Sequence, residues 1–186
     1  MKAIFKTAPR LLWAALALSP LSAQAEAERA AVFPFELYDT SLQGEKGGQG
    51  ADERARLALI DGKLRNMLAS SGRYDPVPLG PAAAKAADLD LRTCDGCELP
   101  LARDLGAGVS VVGWVQKVSP LILNINLVFR DVATGKVVDG GSVDIRGDTD
   151  ESWTRGVAYL LHDRLHIAPK ADAKKADAKA DGAAGQ

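Results

Sequence analysis

Long apolar runs, cysteines, aromatics and an excess of either charge are all scarce in this 186-residue chain, and each shortage excludes a class of protein. Two cysteines are too few for a disulfide-built scaffold. Aromatics make up 5% of residues, and 23 Lys and Arg stand against 24 Asp and Glu. That balance lacks the basic surplus of a nucleic-acid binder. A hydrophobic fraction of 47% is too high for a wholly disordered chain, and the length suits one domain.

The longest apolar stretch, Leu11 to Leu18, follows Lys2, Lys6 and Arg10 and is broken by Pro20. Spanning a bilayer needs about 20 apolar residues, so this run is too short. With Ser22-Ala23-Gln24-Ala25 after it, residues 1–25 read as a signal peptide cleaved after Ala25, with no lipid-anchoring Cys behind. The other end, residues 168–186, alternates Ala, Lys and Asp without Val, Ile, Leu or an aromatic. It has no face to bury and reads as a disordered tail. Residues 26–167 remain as one domain, with 16 Lys and Arg against 21 Asp and Glu, a net of −5. Nucleic acid is thereby excluded as a partner on charge, and no stable membrane span follows signal cleavage. The expected location is the periplasm.

Within that domain, residues 30–37 read as a first strand that Pro34 confines to an edge or bulge. Residues 39–50 read as a glycine-rich loop. It lacks the Gly-Lys-Ser/Thr ending of a phosphate loop. Asp52 to Ser71 places Leu57, Ile60, Leu64, Met67 and Leu68 on one helical face and stops at Gly72. Short extended and helical segments follow, over 74–78, 82–87 and 97–106. Strands are expected over 109–118, 121–132 and 137–146. The middle one alternates Leu121, Leu123, Ile125, Leu127 and Phe129 with Ile122, Asn124, Asn126, Val128 and Arg130, the period of a half-buried antiparallel strand. A last helix begins after Asp148-Thr149-Asp150-Glu151 and carries Trp153, Val157, Leu160, Leu161 and Leu165 as its stripe. The fold class is therefore α/β (α+β): a small, mixed, mostly antiparallel sheet with two long helices packed on one face.

Chemistry-bearing constellations are sparse. Cys94-Asp95-Gly96-Cys97 would be oxidised in the periplasm and reads as a structural disulfide. A thiol-redox role remains open, because the pair precedes a helix start. Asp95 and Glu98 oppose that role by disfavouring a thiolate. His162 and His166 are four apart on the last helix and form weak metal-ligand candidates, with no third ligand in reach of their spacing. Trp114, Asn124, Asn126 and Arg130 lie on the polar face of the central strands and form a possible binding surface. Neither a nucleophile elbow nor a paired-carboxylate spacing occurs, and the sequence implies no catalytic residue and no cofactor.

Residues 113–119 and 123–126, Ser142-Val143-Asp144-Ile145-Arg146-Gly147 and Asp150-Glu151-Ser152-Trp153, together with the Cys94–Cys97 motif, resemble a family of small secreted proteobacterial proteins, domain of unknown function 2380, over residues 28–166. That resemblance implies a periplasmic accessory protein, associated with a quinoprotein dehydrogenase system. More distantly, residues 68–74, 102–107 leading into a strand, and 131–136 are similar to the amino-terminal domain of TolB. This second resemblance implies a mixed sheet with packed helices and function by binding envelope proteins. The lack of a propeller and of a lipidation motif leaves no partner surface to transfer. The functional expectation is a non-catalytic periplasmic binding or assembly accessory with an unknown protein partner. A thiol-disulfide accessory using Cys94 and Cys97 is the alternative.

Overall fold

The computed structural model describes residues 26–48 and 50–170; residues 1–25, expected to be a signal peptide, and all but the start of the expected Ala/Lys/Asp tail lie outside the described residues. In chain order the elements are β1 (Glu28–Val32), β2 (Glu36–Asp39), α1 (Leu42–Gly47), α2 (Ala51–Ser71), β3 (Tyr74–Pro76), α3 (Pro81–Ala87), α4 (Leu99–Asp104), β4 (Val109–Ser119), β5 (Ile122–Asp131), β6 (Val137–Arg146) and α5 (Asp150–Tyr159), the last prolonged by a π-turn over Leu160–Arg164. Six strands form one sheet in the order β3-β1-β4-β5-β6, and β2 continues beside β4 beyond β1. Strands β1 and β3 pair in parallel, as do β1 and β2 with β4, whereas the longer β4-β5-β6 meander is antiparallel.

Two apolar layers hold the sheet. The larger lies between the sheet and α2 plus α5, where Ile60, Leu64, Leu68, Val111, Val115, Leu123, Ile125, Leu127, Phe129, Trp153, Val157 and Leu160 are buried. The alternation in β5 explains this, since Leu123, Ile125, Leu127 and Phe129 all turn inward. Helix α2 starts where Gly50 N–H donates to Glu53 Oε2 at 2.7 Å and ends at Gly72, whose φ of 68° is the left-handed stop. Helix α5 starts with Thr149 Oγ1 accepting from Ser152 N–H at 3.2 Å. Gly113 is required where β4 passes under Phe35: a Cβ there would sit 2.5 Å from the ring. The smaller layer covers the opposite sheet face only at its β1-β4 side, where Phe33, Ala31 and Val112 meet Val77, Leu79, Leu91 and Ala102. Past it and past the Arg130 end of β5, no described element covers β5 and β6 on that face.

Three local expectations are corrected. Residues 30–37 are two strands, because after Phe33 N–H makes the last bond of β1 to Val111 O, at 2.9 Å, the chain steps out of the ladder through Pro34 and Phe35 and re-enters it at Glu36. Helix α2 satisfies the exposed backbone at the break: Asp61 Oδ1 accepts from Phe35 N–H at 2.8 Å, and Arg65 donates to the Val32 carbonyl. The supposed loop 39–50 contains α1, capped by Ser41 Oγ accepting from Gly44 N–H at 3.3 Å. The last helix does not keep α-period to its end. Its π-turn adds a residue to the final turn, and His166, with φ of 53°, lies beyond it. The four-residue spacing therefore does not place His162 and His166 on one helical face.

Candidate functional site

The polar side of β4 and β5 was the expected binding surface, and its residues divide between free and engaged. Register places Trp114 opposite Asn126, and Asn126 opposite Ser142 of β6. The next row is Gln116, Asn124 and Asp144, with Asn124 Nδ2 donating to Asp144 Oδ1 at 2.8 Å. Trp114, Asn126, Val128, Val138, Gly140 and Ser142 line a shallow hollow of about 580 Å³ on this face. Val137, which like Val138 is 55% exposed, also lines it; Ile122, 44% exposed, lies on the same face beyond the Asn124–Asp144 row.

Arg130, expected in the same group, is spent on structure. Its guanidinium donates to Asp95 Oδ1 at 2.5 Å and to the Gly135 carbonyl at 3.4 Å, and its Nε lies 3.6 Å from Glu98 Oε1. Glu98 is 1% exposed and also accepts from Ser110 Oγ at 3.1 Å. Arg130 thus ties the Cys94–Cys97 loop to the sheet. The two cysteines are joined as a disulfide, and the loop between them turns through Asp95 and Gly96, both with positive φ. Cys94, Cys97 and Glu98 are the described residues that crowd three potential metal donors together, but the disulfide removes the two sulfur donors. His162 is exposed, with Nδ1 3.3 Å from its neighbour Asp163.

Sequence reading missed two ionic features, one buried and one half-buried. At one end of the sheet Lys117 Nζ, whose side chain is 3% exposed, contacts Glu53, with Asp148 Oδ2 at 3.3 Å and Asp39 Oδ2 at 3.7 Å. Burial alone would lower the Lys117 pKa, but the hydrogen bonds to Glu53 and Asp148 outweigh it and raise the pKa above the usual lysine value. Arg56 joins Asp148 to Asp150 at 3.1 and 3.0 Å, and Trp153 Nε1 donates to Asp148 Oδ1 at 3.1 Å. Lys117 occupies the inward side of β4 at the strand's end, so alternation marks it as a buried lysine; its partners come from three separated segments and no spacing reveals them. The second feature is Asp61. Burial lifts its pKa from 3.8 to about 6, against the opposing pull of the Phe35 N–H and the Arg65 charge.

A single mixed sheet, fully helix-covered on one side and half-covered on the other, defines a small α/β domain with an open sheet face. The chain belongs to the family described as "Protein of unknown function (DUF2380)", which matches residues 28–165. The matched span agrees with the resemblance read from the sequence. Searched against curated proteins, the sequence has no match. Among solved structures, the chain is similar to the LpoB C-terminal domain from Salmonella enterica (17% identity, 67% of this chain and 87% of that one, TM-score 0.47). It is similar also to PelC from Paraburkholderia phytofirmans (18% identity, 75% and 88%, TM-score 0.48). TolB from Acinetobacter baumannii is a third (13% identity, 77% and 29%, TM-score 0.45). No helix among the described residues is long and apolar enough to cross a membrane.

Proposed function

We propose that the protein is a non-catalytic accessory of the periplasm that docks a protein client on the open face of β4, β5 and β6. In this reading residues 1–25 are removed on export, residues 26–167 form the working domain, residues 168–186 lie outside it, and no cofactor is needed. The observation that carries it is the row Trp114-Asn126-Ser142 with the exposed Val137 and Val138 beside it. An aromatic and aliphatic patch bordered by amides has the make-up of a protein interface: apolar centre, polar rim. Asn124 is held by Asp144, which pre-organises that rim. The family resemblance supports a quinoprotein dehydrogenase system as the source of the client.

Capture from periplasmic extract with the wild type and with Trp114→Ala and Val138→Asp tests the site. The expected result is a client band that both substitutions remove and that Cys94→Ser/Cys97→Ser retains. Retention by both face variants overturns the assignment. The partly buried disulfide at the start of α4 favours a second reading, thiol-disulfide exchange. That reading requires the double serine variant to lose all function, and a disulfide potential within the range of known exchangers rather than below about −300 mV.

A further inference from the structure

Strand β6 ends the sheet, and the hydrogen bonds around it define what its outer edge offers. On β4 the odd-numbered groups face β1 and β2: Val111 O accepts from Phe33 N–H at 2.9 Å and Lys117 O from Thr40 N–H at 2.8 Å. Even-numbered residues of β4 therefore bond to β5, and the odd-numbered residues of β5 bond to β6. Gly147 N–H donates to Leu121 O at 3.3 Å, which continues that parity. From Gly140 to Arg146, then, it is the even-numbered backbone groups that point away from the sheet.

Two of these outward groups are capped within the chain. Gly140 N–H donates to Asp139 Oδ1 at 2.9 Å, and Arg146 O accepts from Ser152 Oγ at 2.8 Å. The Gly140 carbonyl, the N–H and carbonyl of Ser142 and of Asp144, and the Arg146 N–H meet no partner among the described residues. A free row of this kind is a template for another strand.

We propose that this edge is a self-association surface, on which a second copy of the chain lays its own β6 antiparallel about a two-fold axis at Val143. The free groups are complementary to themselves in that register alone. Ser142 then faces the partner's Asp144 and Gly140 faces the partner's Arg146. Every free N–H meets a free carbonyl, and the two capped groups fall opposite each other. Sliding the register two residues one way sets Asp144 against the partner's Asp144, a direct like-charge clash. Sliding it the other way sets the capped Gly140 N–H against a free Asp144 carbonyl. Side chains suit the chosen register: Gly140 leaves room for the partner's arginine, and the half-buried Val143 meets its own copy on the helix side. There a groove of about 680 Å³ runs between β6 and α5, lined by Val143, Ile145, Arg155, Gly156 and the 49% exposed Tyr159. Two such grooves would close on each other across the axis. The contact is isologous and closes as a dimer rather than a fibre.

This inference does not rest on the client-docking reading, and Trp114→Ala leaves it untouched. Sedimentation velocity of the purified protein over a concentration series is expected to show a monomer–dimer equilibrium. Ser142→Pro deletes an outward N–H that no internal ladder uses, so the variant should stay folded by circular dichroism yet sediment as a monomer. Val143→Cys should give a disulfide-linked dimer on mild oxidation, because facing residues of a non-hydrogen-bonded pair come within disulfide reach and the native cysteines are already joined. Ser142→Cys should cross-link far less. A wild type that remains monomeric throughout, a dimer undiminished by Ser142→Pro, or stronger cross-linking of Ser142→Cys than of Val143→Cys overturns the proposal; binding only foreign extended peptides at this edge does so as well.

Discussion

Replacing Asp61 with Asn should stabilise the protein at neutral pH, and the size of the gain follows from the site. Asp61 lies on α2 beneath the break between β1 and β2, where burial raises its pKa from 3.8 to about 6. A rise of that size disfavours the ionised carboxylate in the folded state by roughly 3 kcal/mol. In the folded protein the group holds its proton more tightly than in the unfolded chain. Stability is therefore greatest below pH 3.8, falls as pH rises toward 6, and is level in this respect above it. Asparagine keeps an oxygen to accept from Phe35 N–H and carries no charge at any pH. The shift is already net of the Arg65 attraction and the Phe35 N–H bond, so the neutral amide should gain up to about 3 kcal/mol at pH 7.5. Urea unfolding followed by tryptophan fluorescence resolves this, since the expected midpoint shift is up to about 1.5 M. The advantage of the variant should hold from pH 7.5 to about pH 6, shrink as pH falls below that, and be nearly gone by pH 4. A variant less stable than wild type at pH 7.5, or an advantage unchanged across that range, would refute the assignment of burial as the dominant cause.

Removing the charge at Lys117 with Met leaves Asp39, Glu53 and Asp148 facing one another with little solvent, and should cost about 3–5 kcal/mol at pH 7. A thermal melt of the variant beside the wild type at pH 7 checks the loss. In the wild type, stability from the raised Lys117 pKa is fully present below the unfolded value of 10.5 and is lost as pH rises through the higher folded value, which an alkaline titration of ellipticity would show. Gly113→Ala forces the Phe35 ring and Leu127 aside and should destabilise by about 1–3 kcal/mol in urea unfolding. Cys94→Ser/Cys97→Ser opens only a short loop and should cost about 2 kcal/mol, with the far-UV spectrum of the folded protein unchanged.

What the sequence disclosed depended on how local the determining contacts are. β5 fell within a residue of its expected span at each end and α2 within a residue at its start, because strict alternation and an apolar stripe between recognisable stops need no distant partner. The split of the first strand was harder to foresee: Pro34 signalled an interruption, but the groups that make it tolerable, Asp61 and Arg65, sit on the next long helix. The end of α5 was misjudged for a similar reason. Leu160, Leu161 and Leu165 fit an α-stripe and were expected to be buried, as they are, yet the chain reaches that burial through a π-turn that removes His166 from the helix. At the candidate site, Trp114 and Asn126 could be placed on one face by counting in twos. That Arg130 answers to Asp95 and Glu98 could not, since nothing in β5 indicates what lies over its end.

Strand β1 is the first strand to leave the ribosome, yet it lies inside the sheet between β3 and β4, and this ordering constrains how the domain assembles. Ala30 pairs with Pro76 on one side and with Val109 on the other, and both lie far downstream. The β4-β5-β6 meander, by contrast, joins neighbours through tight turns and can form as soon as it is made. Closure of the long loop to β1 is entropically costly and must wait for β4, so the strand that anchors the chain should be among the last to dock. The folding rate would then be governed by insertion of Ala30, Ala31 and Val32 between two preformed halves. Until that event these three residues remain an unpaired apolar segment, open to any chaperone that holds chains before they fold.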